Sequence, residues 1–226
     1  MCGRYTVGCE PSALIEHFEP DEVLLALRPR YNVAPSQSVA ILRCDEQARK
    51  VLAPARWGLI PSWAKDPAIG NRMINARAET VADKPAFRTA LRRRRCLVAA
   101  DGFYEWRKLG AAKQPYWIGL ATRTPMGFAG LWERWQPSHG GDALESCTII
   151  TTAANEVVAP IHERMPVVLR PSDYARWLNP ATADVAELTG LLMPYPDAGM
   201  IAYPVSTAVN SPRNDDPSLR EPLDQG

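Results

Sequence analysis

Apolar residues fall in short runs that end at Gly, Pro, Asn or Asp. Residues 38–43, 50–57, 115–120, 128–132, 146–152, 167–169 and 200–206 read as strands. Residues 97–107 read as two strands bent at Asp101-Gly102. Helices are expected over 11–18, with Pro11 in the first turn, over 85–95, from Asn155, over 172–178 with Ser172 as N-cap, and over 183–193. Residues 28–35 carry Pro29 and Pro35 and read as an extended loop, and 58–67 as a turn-rich segment. A polar tail runs from about 207 to 226. No repeat or linker divides the chain, so residues 1–226 read as a single domain.

At 226 residues and 46% hydrophobic content, the chain can fill one core. Its 21 prolines argue for turns and broken strands rather than a helical bundle. No apolar run reaches the length of a membrane span, and no basic-then-apolar leader opens the chain, so a cytoplasmic, membrane-free protein is expected. A net charge of +1 announces no nucleic-acid partner, which would have to meet a local basic patch. Cysteines at 2, 9, 44, 96 and 147 are odd in number, widely spaced and without a C-x-x-C pair. Neither a disulfide framework nor a zinc site fits, and three histidines make metal catalysis a poor fit. No metal and no cofactor is expected.

Several positions could carry chemistry. Cys2 follows the initiator directly, and its small side chain suits removal of Met1. It would then hold an amine and a thiol on adjacent carbons. Such a 1,2-aminothiol condenses with an aldehyde to an imine, and the thiol closes a thiazolidine ring. The plainer reading is a buried thiol near a chain end. Glu105, between Tyr104 and Trp106, is a carboxylate placed for a raised pKa and proton transfer, or else an outward-facing strand residue. His162 sits at a junction between a helix and an apolar strand, where function concentrates. His17 reads as a packed or surface histidine, and His139 has no partner pattern. Asn75 and Arg77 share a face if their segment is extended. Trp63 is a core plug or a stacking platform for bases. Arg92 to Arg95 are a phosphate patch or a solvated helix end. The second is favoured, because four consecutive residues point all round a helix.

With Cys2, Asn75, Glu105 and His162 in view, the chain resembles the SRAP (SOS response-associated peptidase) family. The resemblance rests on residues 1–5 (MCGRY), 30–35 (RYNVAP), 57–61 (WGLIP), 75–80 (NARAET), 101–106 (DGFYEW), 161–166 (IHERMP) and 204–206 (PVS). Any one stretch is weak; seven in order are specific. The resemblance implies an α+β domain with a barrel-like, mainly antiparallel sheet core flanked by short helices. It implies Cys2, Asn75, Glu105 and His162 as the catalytic set. It also implies that Arg4, Arg77, Trp106, Thr151 and Arg164 match DNA-contacting positions of relatives. The implied partner is single-stranded DNA containing abasic sites, bound by a monomer that joins the nucleoid when on DNA. Trp63-Ala64 departs from the paired aromatics of some relatives, which removes a second stacking surface. Two other functions compete: an N-terminal-nucleophile cysteine peptidase or hydrolase, and a non-catalytic single-strand binder.

Overall fold

The structure is a computed structural model and describes residues 2–138 and 140–223. In chain order its elements are β1 (Tyr5–Val7), α1 (Pro11–Phe18), β2 (Glu22–Val23), β3 (Arg30–Val33), β4 (Ser38–Cys44), β5 (Lys50–Trp57), β6 (Asn75–Arg77), α2 (Arg88–Arg93), β7 (Arg95–Ala100), β8 (Gly102–Leu109) and β9 (Ala112–Leu120). They continue with β10 (Met126–Trp135), β11 (Leu144–Ala153), β12 (Arg164–Pro166), β13 (Val168–Leu169), α3 (Pro171–Leu178), α4 (Val185–Gly190) and β14 (Met200–Pro204). The expected class holds: a single domain of mostly antiparallel strands with a few short helices.

Strands β11, β10, β7, β4 and β5 pair in that order. Then β5 returns to β11 in parallel, with Arg56 opposite Ser146 and Trp57 opposite Cys147. This last pairing closes the ring. A small barrel is filled by its own side chains, here Trp57, Phe128, Cys147 and Ile149 among others, all fully buried. Against it lies a second sheet in the order β14-β9-β8-β1-β3. Tyr5 of β1 joins the two layers, its ring edge-on to Trp57 at 5.2 Å and to Phe128 at 5.9 Å.

The chain passes from barrel to second sheet at the bend expected from the sequence, between β7 and β8. Asp101 turns the corner, accepting from Thr6 Oγ1 at 2.5 Å and pairing with Arg220 at 3.1 Å. Gly102 is needed for space: a Cβ there would lie 2.3 Å from the Trp117 indole, which covers the Gly102–Gly119 pair.

Other expectations need correction. Residues 30–33 form β3 rather than a loop, because Val33 finds Tyr5 as a strand partner. The helix expected over 85–95 is shorter, since Arg94 already caps α2 and Arg95 opens β7. After Asn155 there are turns instead of a helix. The Asn155 side chain accepts from Val158 N at 3.0 Å, and Pro160 has no N–H to extend a ladder. Ser172 is not the N-cap of α3; Arg170 is, with Pro171 in the first turn. The helix expected over 183–193 is α4, capped by the Asp184 carboxylate. The described part of the tail, residues 207–223, is anchored to the second sheet. Its short turns seat Val209 and Leu219, both buried beside Tyr104 and Trp117. His139 and Met1 lie outside the described residues.

Candidate active site at the amino-terminal strand

Cys2 enters β1 at a place where three other elements converge. It is fully buried. Its carbonyl accepts from Asn75 Nδ2 at 2.8 Å. Its thiol lies 3.9 Å from the Arg4 carbonyl oxygen. Burial, and then the charge of Glu105, push the thiol well above the ordinary range. Asn75 is delivered by β6, which runs parallel to β11 with Asn75 opposite Ile149 and Arg77 opposite Thr151. Ala76 between them is buried, so Asn75 and Arg77 share the opposite face as the spacing predicts. Asn75 Oδ1 is buried with no hydrogen-bond partner among the described residues.

Glu105 faces inward, only 3% exposed, so the outward-facing reading is overturned. Its strand is tied to the chain start by Tyr104 N donating to Arg4 O at 2.9 Å. Burial raises its carboxyl from 4.5 to about 7, against the pull of the chain's positive amino terminus. His162 follows the turns after Asn155, with its own N–H donating to Val158 O at 3.0 Å. Its Nδ1 lies 3.0 Å from Arg164 N and 3.3 Å from Arg164 O, so the Arg164 backbone fixes the ring. Burial, and then the amino terminus, lower its pKa. The amino-terminal charge therefore acts on Cys2, Glu105 and His162 alike.

The remaining positions differ in how they are held. Arg77 is exposed, and its guanidinium carries no ion pair or hydrogen bond among the described residues. Arg4 is half-buried, and its Nη1 donates to Asn32 Oδ1 at 2.7 Å and to Val209 O at 2.8 Å. Arg164 is clamped by Glu79 through two bonds of 2.6 and 3.0 Å, which hold the Glu79 carboxyl below its usual range. Thr151 is fully buried, and its carbonyl accepts from Arg164 at 2.6 Å, so it supports Arg164 from inside. Trp106 donates its indole N–H to Asn210 at 2.7 Å. Trp63 is 60% exposed on the loop after β5, not a core plug.

The family model described as SOS response associated peptidase (SRAP) matches residues 1–212. This chain belongs to the SRAP family. It is 47% identical over 224 residues to the Bacillus subtilis protein named abasic site processing protein YoqW, spanning 98% of this chain and 99% of that one. It is 36% identical to the chicken protein named abasic site processing protein HMCES, over 88% of this chain and 68% of that one. A crystal structure of a Bacteroides thetaiotaomicron protein superimposes with a TM-score of 0.85 at 29% identity, covering 98% of this chain and all of its own.

In this SRAP chain the arginine run does not form a patch. Arg92 and Arg93 end α2 exposed, Arg94 pairs with Glu133 at 2.7 Å, and Arg95 is buried. Among the described residues no group of three His, Cys, Asp or Glu side chains is placed to hold a metal ion, and no helix is long and apolar enough to cross a membrane. Two polar residues escaped the sequence reading: Asn32, inside the quoted 30–35 stretch, and Asn210, in the tail. Nothing local marks either one, because their partners are distant in sequence: Arg4 and residues 209–214 for Asn32, Trp106 for Asn210.

Proposed function

We propose that this SRAP chain captures abasic sites in single-stranded DNA covalently, through a thiazolidine on Cys2, and so shields the lesion. The observation that carries this reading is the convergence of a buried Cys2, the Asn75 amide on its carbonyl, and a Glu105 carboxyl that titrates near neutrality. The names of the relatives, abasic site processing proteins, point the same way. Met1 must first leave, and self-removal of Met1 is the one peptidase step the reading includes.

The ring-opened sugar presents an aldehyde. The Cys2 amine attacks its carbon; the C–N bond forms and the oxygen takes a proton from Glu105. Water then leaves, giving the imine. Sulfur adds to the imine carbon, the C=N electron pair moves to nitrogen, and the thiol proton follows it through Glu105. Amine, thiol and aldehyde thus yield one ring and one water. A carboxyl near pH 7 suits both giving and taking. His162 assists sugar opening as a second proton carrier. Asn75 orients the chain end. Arg77 and Arg4 meet phosphates, Trp63 and Trp106 offer ring faces to unpaired bases, and Thr151 positions Arg164.

The test is incubation with an abasic single-stranded oligonucleotide, read on a denaturing gel. The wild-type chain gives a heat-resistant adduct and an amino-terminal mass lacking Met1. Cys2→Ala gives none. Cys2→Ser gives only an imine that borohydride traps. Full adduct yield from Cys2→Ala, or from a chain with an uncleavable amino-terminal extension, overturns the reading.

A further inference from the structure

Arg4 and Arg164 are both partly buried guanidinium groups beside the same site, yet their acceptors differ in charge. Arg164 lies against the Glu79 carboxylate, which cancels it. Arg4 lies against an amide oxygen and a peptide oxygen, both neutral. No ion pair reaches Arg4 among the described residues, and no carboxylate contributes to its titration, which burial lowers. Its Nη2 has no hydrogen bond there and is not buried, while Nε is buried without a partner.

Asn32 makes that arrangement. It is 1% exposed. Its Oδ1 takes the Arg4 bond, while its Nδ2 donates to the carbonyls of Val209, Ser211 and Asn214 at 3.2, 2.9 and 2.8 Å. The amide cannot be turned over. A flipped group would set N–H₂ against a guanidinium and an oxygen against those carbonyls. The backbone N–H of Asn32 and that of Tyr31 donate to Asp215 Oδ1 at 3.0 and 2.5 Å, which fixes the tail to β3. The Val209 carbonyl that Asn32 holds is the second acceptor of Arg4. One side chain thus places both acceptors of Arg4. An aspartate here could still accept from Arg4. It would also cancel the charge and face the tail carbonyls with oxygen instead of N–H.

We infer that Asn32 is a positioning residue of the DNA grip: it immobilises Arg4 with neutral acceptors only, so that the free Nη2 edge presents an uncancelled positive charge to a phosphate of the bound strand. This rests on the proposed action on single-stranded DNA and adds to it the residue that keeps the charge available. A purely structural Asn32 would affect stability alone. The inferred role predicts a change in salt dependence.

The probe is a fluorescent single-stranded oligonucleotide without an abasic site, so grip is read apart from capture. Each neutralised phosphate contributes about 0.7 to the slope of log affinity against log salt. Asn32→Asp is expected to lower that slope by about 0.7, as Arg4→Ala does, and Arg4→Ala/Asn32→Asp should lose little beyond Arg4→Ala. Asp215→Asn loosens the same tail without touching Arg4 and should leave the slope unchanged. If Asn32→Asp does not fold, Asn32→Ser takes its place, with an affinity loss that again does not add to that of Arg4→Ala. A folded Asn32→Asp with the full wild-type slope, or Asn32 and Arg4 losses that add, overturns the inference while adduct formation stands. A wild-type chain with no salt-dependent binding overturns it whether or not an adduct forms.

Discussion

Arg95 and Glu105 stand ten positions apart on consecutive strands, and both are ionisable residues buried to the same depth, 4% and 3% exposed. Arg95 opens β7 among carbonyl groups. It donates to Trp177 O at 2.6 Å and Leu91 O at 2.7 Å, and also to Asn179 O. These are the last carbonyls of α3 and one from α2, where a cation meets the negative end of a helix. Glu105 sits on β8 at the site, where burial outweighs the amino-terminal charge and lifts its carboxyl to about 7. The first burial is matched by acceptors and ties two helices to the barrel. The second leaves the proton exchangeable. Equal depth therefore says nothing about role; what surrounds the buried charge separates the packing of Arg95 from the chemistry proposed for Glu105.

The comparison is sharpened most by Glu105→Gln. It keeps shape and hydrogen-bonding capacity but cannot exchange a proton. Adduct formation should slow by about 10²–10⁴-fold in single-turnover time courses, with DNA affinity retained. An unchanged rate would take Glu105 out of the mechanism. Arg95→Ala should do the reverse. Stripping the carbonyls of a buried cation should cost about 3–4 kcal/mol in urea unfolding. Adduct rate measured well below the unfolding midpoint should be unchanged, and a rate loss at full folding would break the distinction.

The next effect is a pH dependence. Glu105 has a folded-state pKa above its unfolded value, so the folded chain holds that proton more tightly. Its contribution to stability is complete below about 4.5 and is lost as pH rises through about 7. Glu105→Gln lacks this loss. Relative to wild type it should gain on the order of 2–3 kcal/mol between pH 4 and pH 8, read from denaturation midpoints at both pH values. A constant difference would mean that Glu105 is not held protonated. The smallest effect separates the two arginine groups. Arg77→Ala should lower the salt slope of single-strand binding by about 0.7. The double change Arg92→Ala/Arg93→Ala at the exposed end of α2 should leave it unchanged. A larger shift from the double change would move the phosphate contacts to the helix.

Much of this was legible in the sequence, for local reasons. Strand β5 matches its expected bounds because its flanking turns are written beside it, and the bend at Asp101-Gly102 is marked by its own residues. Cys2 and Glu105 stand out in the sequence as candidates, through a chain-end thiol and a carboxylate between aromatics. What escaped depends on distant partners. Strands β1 and β3 are too short to show alternation, and each exists because the other is there. The barrel closes through a parallel pairing of β5 with β11, for which neither strand carries a local sign. The arginine run reads as one object, yet its members part company because the end of α3 claims Arg95. Asn32 reads as a loop residue until the carbonyls of 209–214 are seen around its amide.

The bond from Arg4 to Val209 spans 205 positions, close to the full length of the chain. Synthesis runs from the amino end, and contacts so far apart in sequence form only after both partners exist. Strand β1 leaves the ribosome long before the segment that carries the Val209 acceptor. A chain stalled before Thr207 carries Cys2 but not the segment that holds Arg4. The order of manufacture thus leaves Arg4 without its Val209 acceptor until residues 207–214 have been made.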